Sequence, residues 1–535
     1  MTATESRRGT RGGAIAVLGA AVNGAFGFVL TTVILRTFTP AGSGALFSVI
    51  GLVTIAGAVC CAGADTALIW ALSRRPAASG RLVRVALLPT LALSLAVCLG
   101  GVAGAAPIGR ALLGGESAAG LIRLAAVGVP VVVVSTVLLA AVRATRPVGT
   151  YVAVQFVFVP VARPALMIGA VAAGGGVLLG FAGWLLPLAL AAALALALLT
   201  RPGFATPPVG PAAGSNTASP IEPGAGSGTA PSRGPGARSG CARGFSMPSE
   251  GPGIGINRAW RPLWAFALPR AASVAIDASS MWVGVLLTGA LASPAEAGVF
   301  AAAGRYALAG LLIMQGLRVA VAPRLSRLLG AGRRAEAARV YRRTTLAIVL
   351  LSWPAYLLLA AFAPAFLAVF GAPFGGGATP LAVLALAMLV NVGVGLVQTV
   401  LLMSGNSRDH LRATAAGLAL NVLVAVLLIP GHGALGAAIA WSLGIVGENV
   451  LAAWYARRAL GESIFSVTLG RAMAAVVAAT GLVTLLGILA AGRELAGLAL
   501  ALGLLLAALL GSLADRRIRA ALLQLRRNVL TKEPL

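Results

Sequence analysis

Val177-Leu-Leu-Gly-Phe-Ala-Gly-Trp-Leu-Leu-Pro-Leu-Ala-Leu-Ala-Ala-Ala-Leu-Ala-Leu-Ala-Leu-Leu-Thr200 contains no charged residue, and Arg201-Pro-Gly-Phe-Ala-Thr-Pro-Pro208 follows it at once. With a rise of about 1.5 Å per residue, such a run crosses a hydrocarbon core of about 30 Å as one helix. Comparable runs extend outward from it in both directions. Upstream they lie near 14–35, 44–72, 83–106, 121–142 and 148–173; downstream near 262–291, 298–320, 343–370, 378–403, 411–430, 433–456, 470–491 and 495–514. The chain is 59% hydrophobic and only 10% charged, with a mean hydropathy of +0.95. A soluble domain carries about a quarter charged residues. The expected fold is therefore all-α and integral to a membrane, with about 14 transmembrane helices. Arg7, Arg8 and Arg11 precede the first run in the manner of a signal peptide, but its length and the spans behind it point to an uncleaved helix.

The formal charge of +27 would suggest nucleic acid in a soluble chain. Here the basic residues fall in short segments between apolar runs, with no aromatic interleaving and no nucleic-acid-binding motif. They alternate along the chain. The N-terminus, Arg74–Arg84, Arg143 and Arg146, Arg324–Arg343, Arg408 and Arg412, Arg457, Arg458 and Arg471, and the tail from Arg516 are rich in arginine. The opposite loops hold Arg36, Arg110, Arg123 and Arg493. Basic loops stay on the cytoplasmic side and meet anionic headgroups, so both termini are expected in the cytoplasm. Residues 201–260 turn to Pro, Gly, Ser and Ala, a composition that cannot bury a core, and are expected to form a disordered cytoplasmic tether. The expected organisation is a six-helix bundle over 1–200, that linker, a second six-helix bundle over 261–458, two extra helices over 459–514 and a basic tail over 515–535. Cys60, Cys61, Cys98 and Cys241 show no CxxC spacing, and the chain has 2 histidines, so neither a disulfide framework nor a metal site is expected.

The two halves carry the same markers in the same order. Pro40-Ala-Gly-Ser-Gly44 joins the first two spans, and Pro294-Ala-Glu-Ala-Gly298 joins the seventh and eighth. Leu72-Ser-Arg74 and Leu325-Ser-Arg327 follow, and Trp184 and Trp441 sit in the sixth and twelfth spans. An even number of spans per half gives parallel repeats, with a working cavity expected between them.

Ionisable groups in an apolar span are costly unless they face a cavity or a partner. Arg163 lies between Pro160 and Pro164, whose missing donors free nearby carbonyls. Arg270 and Asp277 lie two turns apart on one face of the seventh span, and Arg305 falls in the eighth. Arg163, Arg270 and Arg305 are the candidates for an anion-binding cavity, because guanidinium forms paired hydrogen bonds with phosphate and keeps its charge. The plainer alternative is that Arg270 and Asp277 neutralise each other and that Arg305 or Glu448 reaches to the interface. Asp277, Asp65 and Glu448 are the candidates for ion coupling. Asn23, Asn391, Gln398 and Asn421 are expected to line the cavity, or else to make interhelical hydrogen bonds. The single lysine is Lys532, so no Walker A lysine exists, and no HExxH, zinc set or nucleophile triad is visible. No catalytic residue and no cofactor is expected; an H+ or Na+ gradient or the membrane potential would supply the energy.

The Pro-x-x-x-Gly turn, Leu351-Ser-Trp-Pro354 through Phe370-Gly371, Leu401-Leu-Met-Ser-Gly-Asn-Ser407 and Ile429-Pro-Gly-His-Gly433 leading to Trp441 together resemble a known family. It is that of the polysaccharide-biosynthesis flippases, within the multidrug/oligosaccharidyl-lipid/polysaccharide (MOP) exporter superfamily. The resemblance covers nearly the whole chain apart from the linker. It implies two six-helix bundles in a V around a central cavity. It also implies movement of an undecaprenyl-pyrophosphate-linked glycan across the bacterial cytoplasmic membrane, in association with a polysaccharide polymerase or glycosyltransferases. Fourteen spans depart from the twelve common in the O-antigen-type branch and resemble the lipid II flippase branch. The rival readings are an ion-coupled multidrug antiporter of the same superfamily, which would need carboxylates to dominate the cavity, and a membrane glycosyltransferase or ligase. The latter needs catalytic acids in outward loops that hold only Glu116, Glu296 and Glu494.

Overall fold

A computed structural model describes residues 3–74, 79–115, 118–200 and 256–514. The first half comprises α1 (Ala3–Thr37), α2 (Pro40–Cys61), α3 (Ala64–Arg74), α4 (Ser79–Ala103), α5 (Ala105–Leu113), α6 (Ala119–Thr145), α7 (Val148–Val152), a π-helical turn (Ala153–Phe158), α8 (Val159–Ala172) and α9 (Val177–Thr200). The second comprises α10 (Ile256–Leu291), α11 (Pro294–Ala309), α12 (Leu311–Gly330), α13 (Arg334–Ala361), α14 (Ala363–Ala368), a 3-10 turn (Ala372–Gly377), α15 (Ala378–Gly393), α16 (Val397–Met403), α17 (Ser407–Leu460), α18 (Val467–Ala491) and α19 (Leu495–Ala514). There is no strand among the described residues.

Among the described residues ten helical stretches are long and apolar enough to cross a membrane, and the bent pair α11–α12 makes an eleventh. The 54-residue α17 is two spans, because Gly433 turns the chain at φ 50° and ψ −127°. The 36-residue α10 and the 20-residue α19 are the helices found at the seventh and fourteenth of the apolar runs read from the sequence. The chain is a multi-pass membrane protein. Of the expected linker, residues 201–255 lie outside the described residues, as do the tail from 515, Glu116 and the side chains of Arg270 and Asp277.

The repeat motifs are helix starts with the same chemistry. Thr39 caps α2 by accepting from the Gly42 N–H at 3.2 Å, and Ser293 caps α11 by accepting from the Glu296 N–H at 3.2 Å. In each case the next residue is proline, which suits the first helical turn because no donor is lost there. The glycines that end the motifs let α2 and α11 cross in contact. A Cβ on Gly44 would overlap the carbonyl oxygen of Pro294, and one on Gly298 would overlap that of Pro40. This reciprocal crossing joins the halves, with α10 packing beside it on α2 and α3.

Within the first half α6 is central, packed on α2, α3, α4 and α9; within the second, α15 packs on α13 and α17, and α10 also lies on α17. The extra pair flanks the second bundle: α18 lies on α13, and α19 lies on α18 and α14. Large apolar side chains such as Leu99, Leu427 and Leu489 are exposed on the outer surface, where lipid covers them. Several spans are broken. The second span breaks at Ala62 and Gly63, both at positive φ, and the tenth at Gly395 with φ 65°.

Candidate functional site

A cavity of about 460 Å³ opens inside the first bundle and reaches across to the second. α1 contributes Asn23, Gly27 and Thr31, α3 contributes Asp65, α6 contributes Ser135, Thr136 and Arg143, and α10 and α11 add Trp282 and Arg305. The fifth span supplies Tyr151, Gln155 and Arg163. That span does not run as one α-helix. Its π-helical turn absorbs the missing donor of Pro160, and the Val159 N–H reaches back to Val154 O instead. Such turns recur at functional sites because the change in register re-aims side chains.

Arg163 emerges just after this turn and is held against α9. Its Nε donates to the Trp184 carbonyl at 3.3 Å, and its Cζ stands 4.3 Å from the centroid of the Trp184 ring. The tryptophan that marked the repeat thus orients a guanidinium on the cavity wall. Arg305 is held differently. Its Cζ lies 5.3 Å from the Phe47 ring and 5.4 Å from the Trp282 ring, one from each half, and its Nε has no hydrogen-bond partner among the described residues. Aromatic faces attract the cation without using its N–H groups, which remain available to an anion. Oδ1 of Asp65 is also buried without a hydrogen-bond partner among the described residues. One carboxylate and three guanidinium groups therefore line the described cavity.

Of the residues expected at the cavity, Arg163, Arg305, Asp65 and Asn23 meet there. Asn391, Gln398, Asn421 and Glu448 do not; they belong to the interior of the second bundle. Gln398 Nε2 donates to Glu448 Oε1 at 2.6 Å, Thr414 Oγ1 lies 3.3 Å from the same oxygen, and Asn449 Nδ2 donates to Asn391 Oδ1 at 3.1 Å. Asn421 Nδ2 reaches Ser280 O at 3.5 Å. Gly395, at φ 65°, breaks the span between Asn391 and Gln398. Arg143, Tyr151, Gln155 and Trp282 line the cavity without having been singled out for it. Arg143 reads in the sequence as a topology charge, yet its Cζ sits 5.4 Å from the Tyr151 ring.

The end of the bundle opposite the arginine-rich loops is closed across the halves. Phe28 of α1 packs on Tyr306 and Phe370 with ring centroids 5.4 and 5.9 Å away, and Tyr306 also meets Phe366 at 5.4 Å. The Tyr306 hydroxyl donates to Phe366 O at 2.7 Å, and Arg36 Nε donates to Val369 O at 2.6 Å.

Residues 269–427 match the MatE family model. A multidrug resistance MATE family transporter of the MOP superfamily in an inward-facing conformation superposes with a TM-score of 0.63 at 14% identity, covering 84% of this chain and 98% of that one. The fold is that of the MOP superfamily. The lipid II flippase MurJ, in an inward closed conformation, superposes with a TM-score of 0.64 at 11% identity over 91% of this chain and 97% of its own. A MOP superfamily transporter from Pyrococcus furiosus gives 0.55 at 17% identity over 85% and 96%. No curated protein matches the chain in sequence.

Proposed function

We propose that this chain is a flippase of the bacterial cytoplasmic membrane. It moves a polyprenyl-pyrophosphate-linked glycan, of the undecaprenyl class used in cell-envelope polysaccharide synthesis, from the inner to the outer leaflet. The observation that carries this reading is the pair of guanidinium groups, Arg163 and Arg305, in one cavity, with Arg305 Nε unpartnered. A pyrophosphate offers two adjacent anionic groups, and arginine forks match it with charge-assisted bonds. The neutral polar wall of Asn23, Thr31, Ser135 and Gln155 suits sugar hydroxyls. Arg270 belongs to the same proposal as a further contact from α10.

The arginine-rich loops define the cytoplasmic side, with both termini there. The aromatic closure at the other end and Arg143 on the cavity wall fit a state loaded from the cytoplasm. Rocking of one bundle against the other would then expose the headgroup outward. Asp65 is the candidate for taking up a coupling proton or Na+. A multidrug antiporter is the weaker reading, since one carboxylate faces three arginines among the described lining residues. Glycosyl transfer would use paired acids, which this lining lacks.

The test is flipping of defined lipid-linked sugars by the full-length protein in proteoliposomes, with and without an imposed ion gradient. Arg305→Gln is expected to lower the rate about tenfold or more, since a charge-assisted bond contributes about 1.5–3 kcal/mol. An unchanged rate in Arg163→Gln and Arg305→Gln, with the wild type active, would remove the pyrophosphate assignment.

A further inference from the structure

A second cavity, of about 590 Å³, lies at the arginine-rich end of the second half and shares no lining residue with the central one. The α12–α13 turn, the α16–α17 turn and the last turns of α17 converge on it. Arg334, Arg412 and Arg458 line it together with Asn406 and Tyr455, and Asp409 is the single carboxylate of the lining. Arg412 Nη1 engages Asp409 Oδ1 at 3.0 Å. The lining therefore has no carboxylate left to match Arg334 and Arg458, and a polar cavity with that surplus suits an anion.

Arg458 is also oriented. Its Cζ stands 3.5 Å from the centroid of the Trp454 ring, so the guanidinium lies on the indole face while its N–H groups stay free for an acceptor. Trp454 is itself 46% exposed and lies beside Tyr455, with ring centroids 4.9 Å apart and planes tilted by 57°. Exposed tryptophan settles at the depth of lipid headgroups. Leu329, Met403 and Ala459 complete the wall with apolar surface. Cationic edges, an exposed indole and an apolar margin together fit a phosphate that carries an acyl-bearing glycerol better than a free phosphate in water.

We propose that this cavity holds the phosphate headgroup of an anionic phospholipid of the inner leaflet, clasped by Arg334 and Arg458. A lipid seated there ties three segments of the second bundle together at its cytoplasmic end. The assignment is independent of the cargo moved through the central cavity.

The test uses the full-length protein in a neutral detergent, titrated with phosphatidylglycerol and followed by native mass spectrometry. Wild type is expected to retain one phosphatidylglycerol in preference to phosphatidylcholine. Arg458→Gln and, separately, Arg334→Gln are each expected to weaken that retention about tenfold, the loss of one charge-assisted contact. Arg339→Gln removes an exposed charge at the same end outside the cavity and is expected to leave retention unchanged. Both cavity substitutions alter exposed side chains, and an unchanged unfolding midpoint in lipid-free detergent checks their fold. Three results would overturn the proposal: equal retention of phosphatidylcholine, equal weakening by Arg339→Gln, or displacement of the lipid by millimolar inorganic phosphate. The last would assign the cavity to a free phosphate.

Discussion

Arg305 occupies the same register after Pro294 that Gly51 occupies after Pro40, so the repeat places a cation in one half where the other has no side chain. The asymmetry is used: a Cβ on Gly51 would stand 2.9 Å from Cε3 of Trp282, and that ring is one of the two that hold Arg305. Gly51→Val is therefore expected to displace Trp282, at a cost of about 1–3 kcal/mol, and to weaken substrate binding as well as the fold. Unfolding midpoints and the substrate dependence of flipping read the two effects separately. Arg305→Met separates structure from function more sharply. A buried guanidinium whose Nε has no hydrogen-bond partner among the described residues carries a desolvation cost, which an apolar side chain of similar length removes. An equal or higher midpoint with flipping lost is the expected result; a lower midpoint would assign Arg305 a structural role. Arg163 and Arg305 were legible in the sequence because a charge inside an apolar run demands a reason. Arg143 and Tyr151 were not, because a charge at the end of a span already has one in membrane topology.

The spans were legible as lengths of apolar chain, but not where they break. Hydropathy is blind to backbone angles, and Gly395 sits in an apolar stretch like many other glycines. What makes it a hinge is its positive φ and the contact of its α-carbon face with Thr345, which leaves no room for a side chain. The break exposes the Val394 carbonyl, and the buried hydroxyl of Tyr341 donates to it. Tyr341→Phe leaves that carbonyl unsatisfied in a buried setting, with an expected loss of about 1–3 kcal/mol in unfolding free energy. A loss well below 1 kcal/mol would mean that the break satisfies itself. The turn between the two spans of α17 is supported by the neighbouring α11. Glu296 Oε2 accepts from the Ala434 N–H at 2.7 Å, capping the twelfth span from the first turn of α11. In the sequence Glu296 read only as an outward-loop acid. The Pro-x-x-x-Gly motifs, in contrast, were visible as repeats, yet only their reciprocal overlap shows that the glycines are the crossing point of the halves.

For the molecule as a whole, the proposed flipping requires the outer closure to come apart, with the reciprocal α2–α11 crossing as the natural pivot. The closure consists of the rings of Phe28, Tyr306, Phe366 and Phe370 plus the bond from Arg36 to Val369 O. Each aromatic pair contributes about 0.5–1.5 kcal/mol beyond its burial. Truncating one partner should thus shift the balance toward the outward-open state by about two- to tenfold. Asn23 lies on the cavity wall a little more than one turn before Phe28 on α1, so it reports when that end opens. In a background with the native cysteines replaced, Asn23→Cys is expected to react slowly with a membrane-impermeant maleimide added outside. Adding Phe28→Ala or Phe370→Ala should raise the outside rate by that factor and lower the inside rate in step, since one equilibrium governs both. Faster labelling from both sides at once would mean that the substitution loosens the bundle and that the rings are packing rather than a gate.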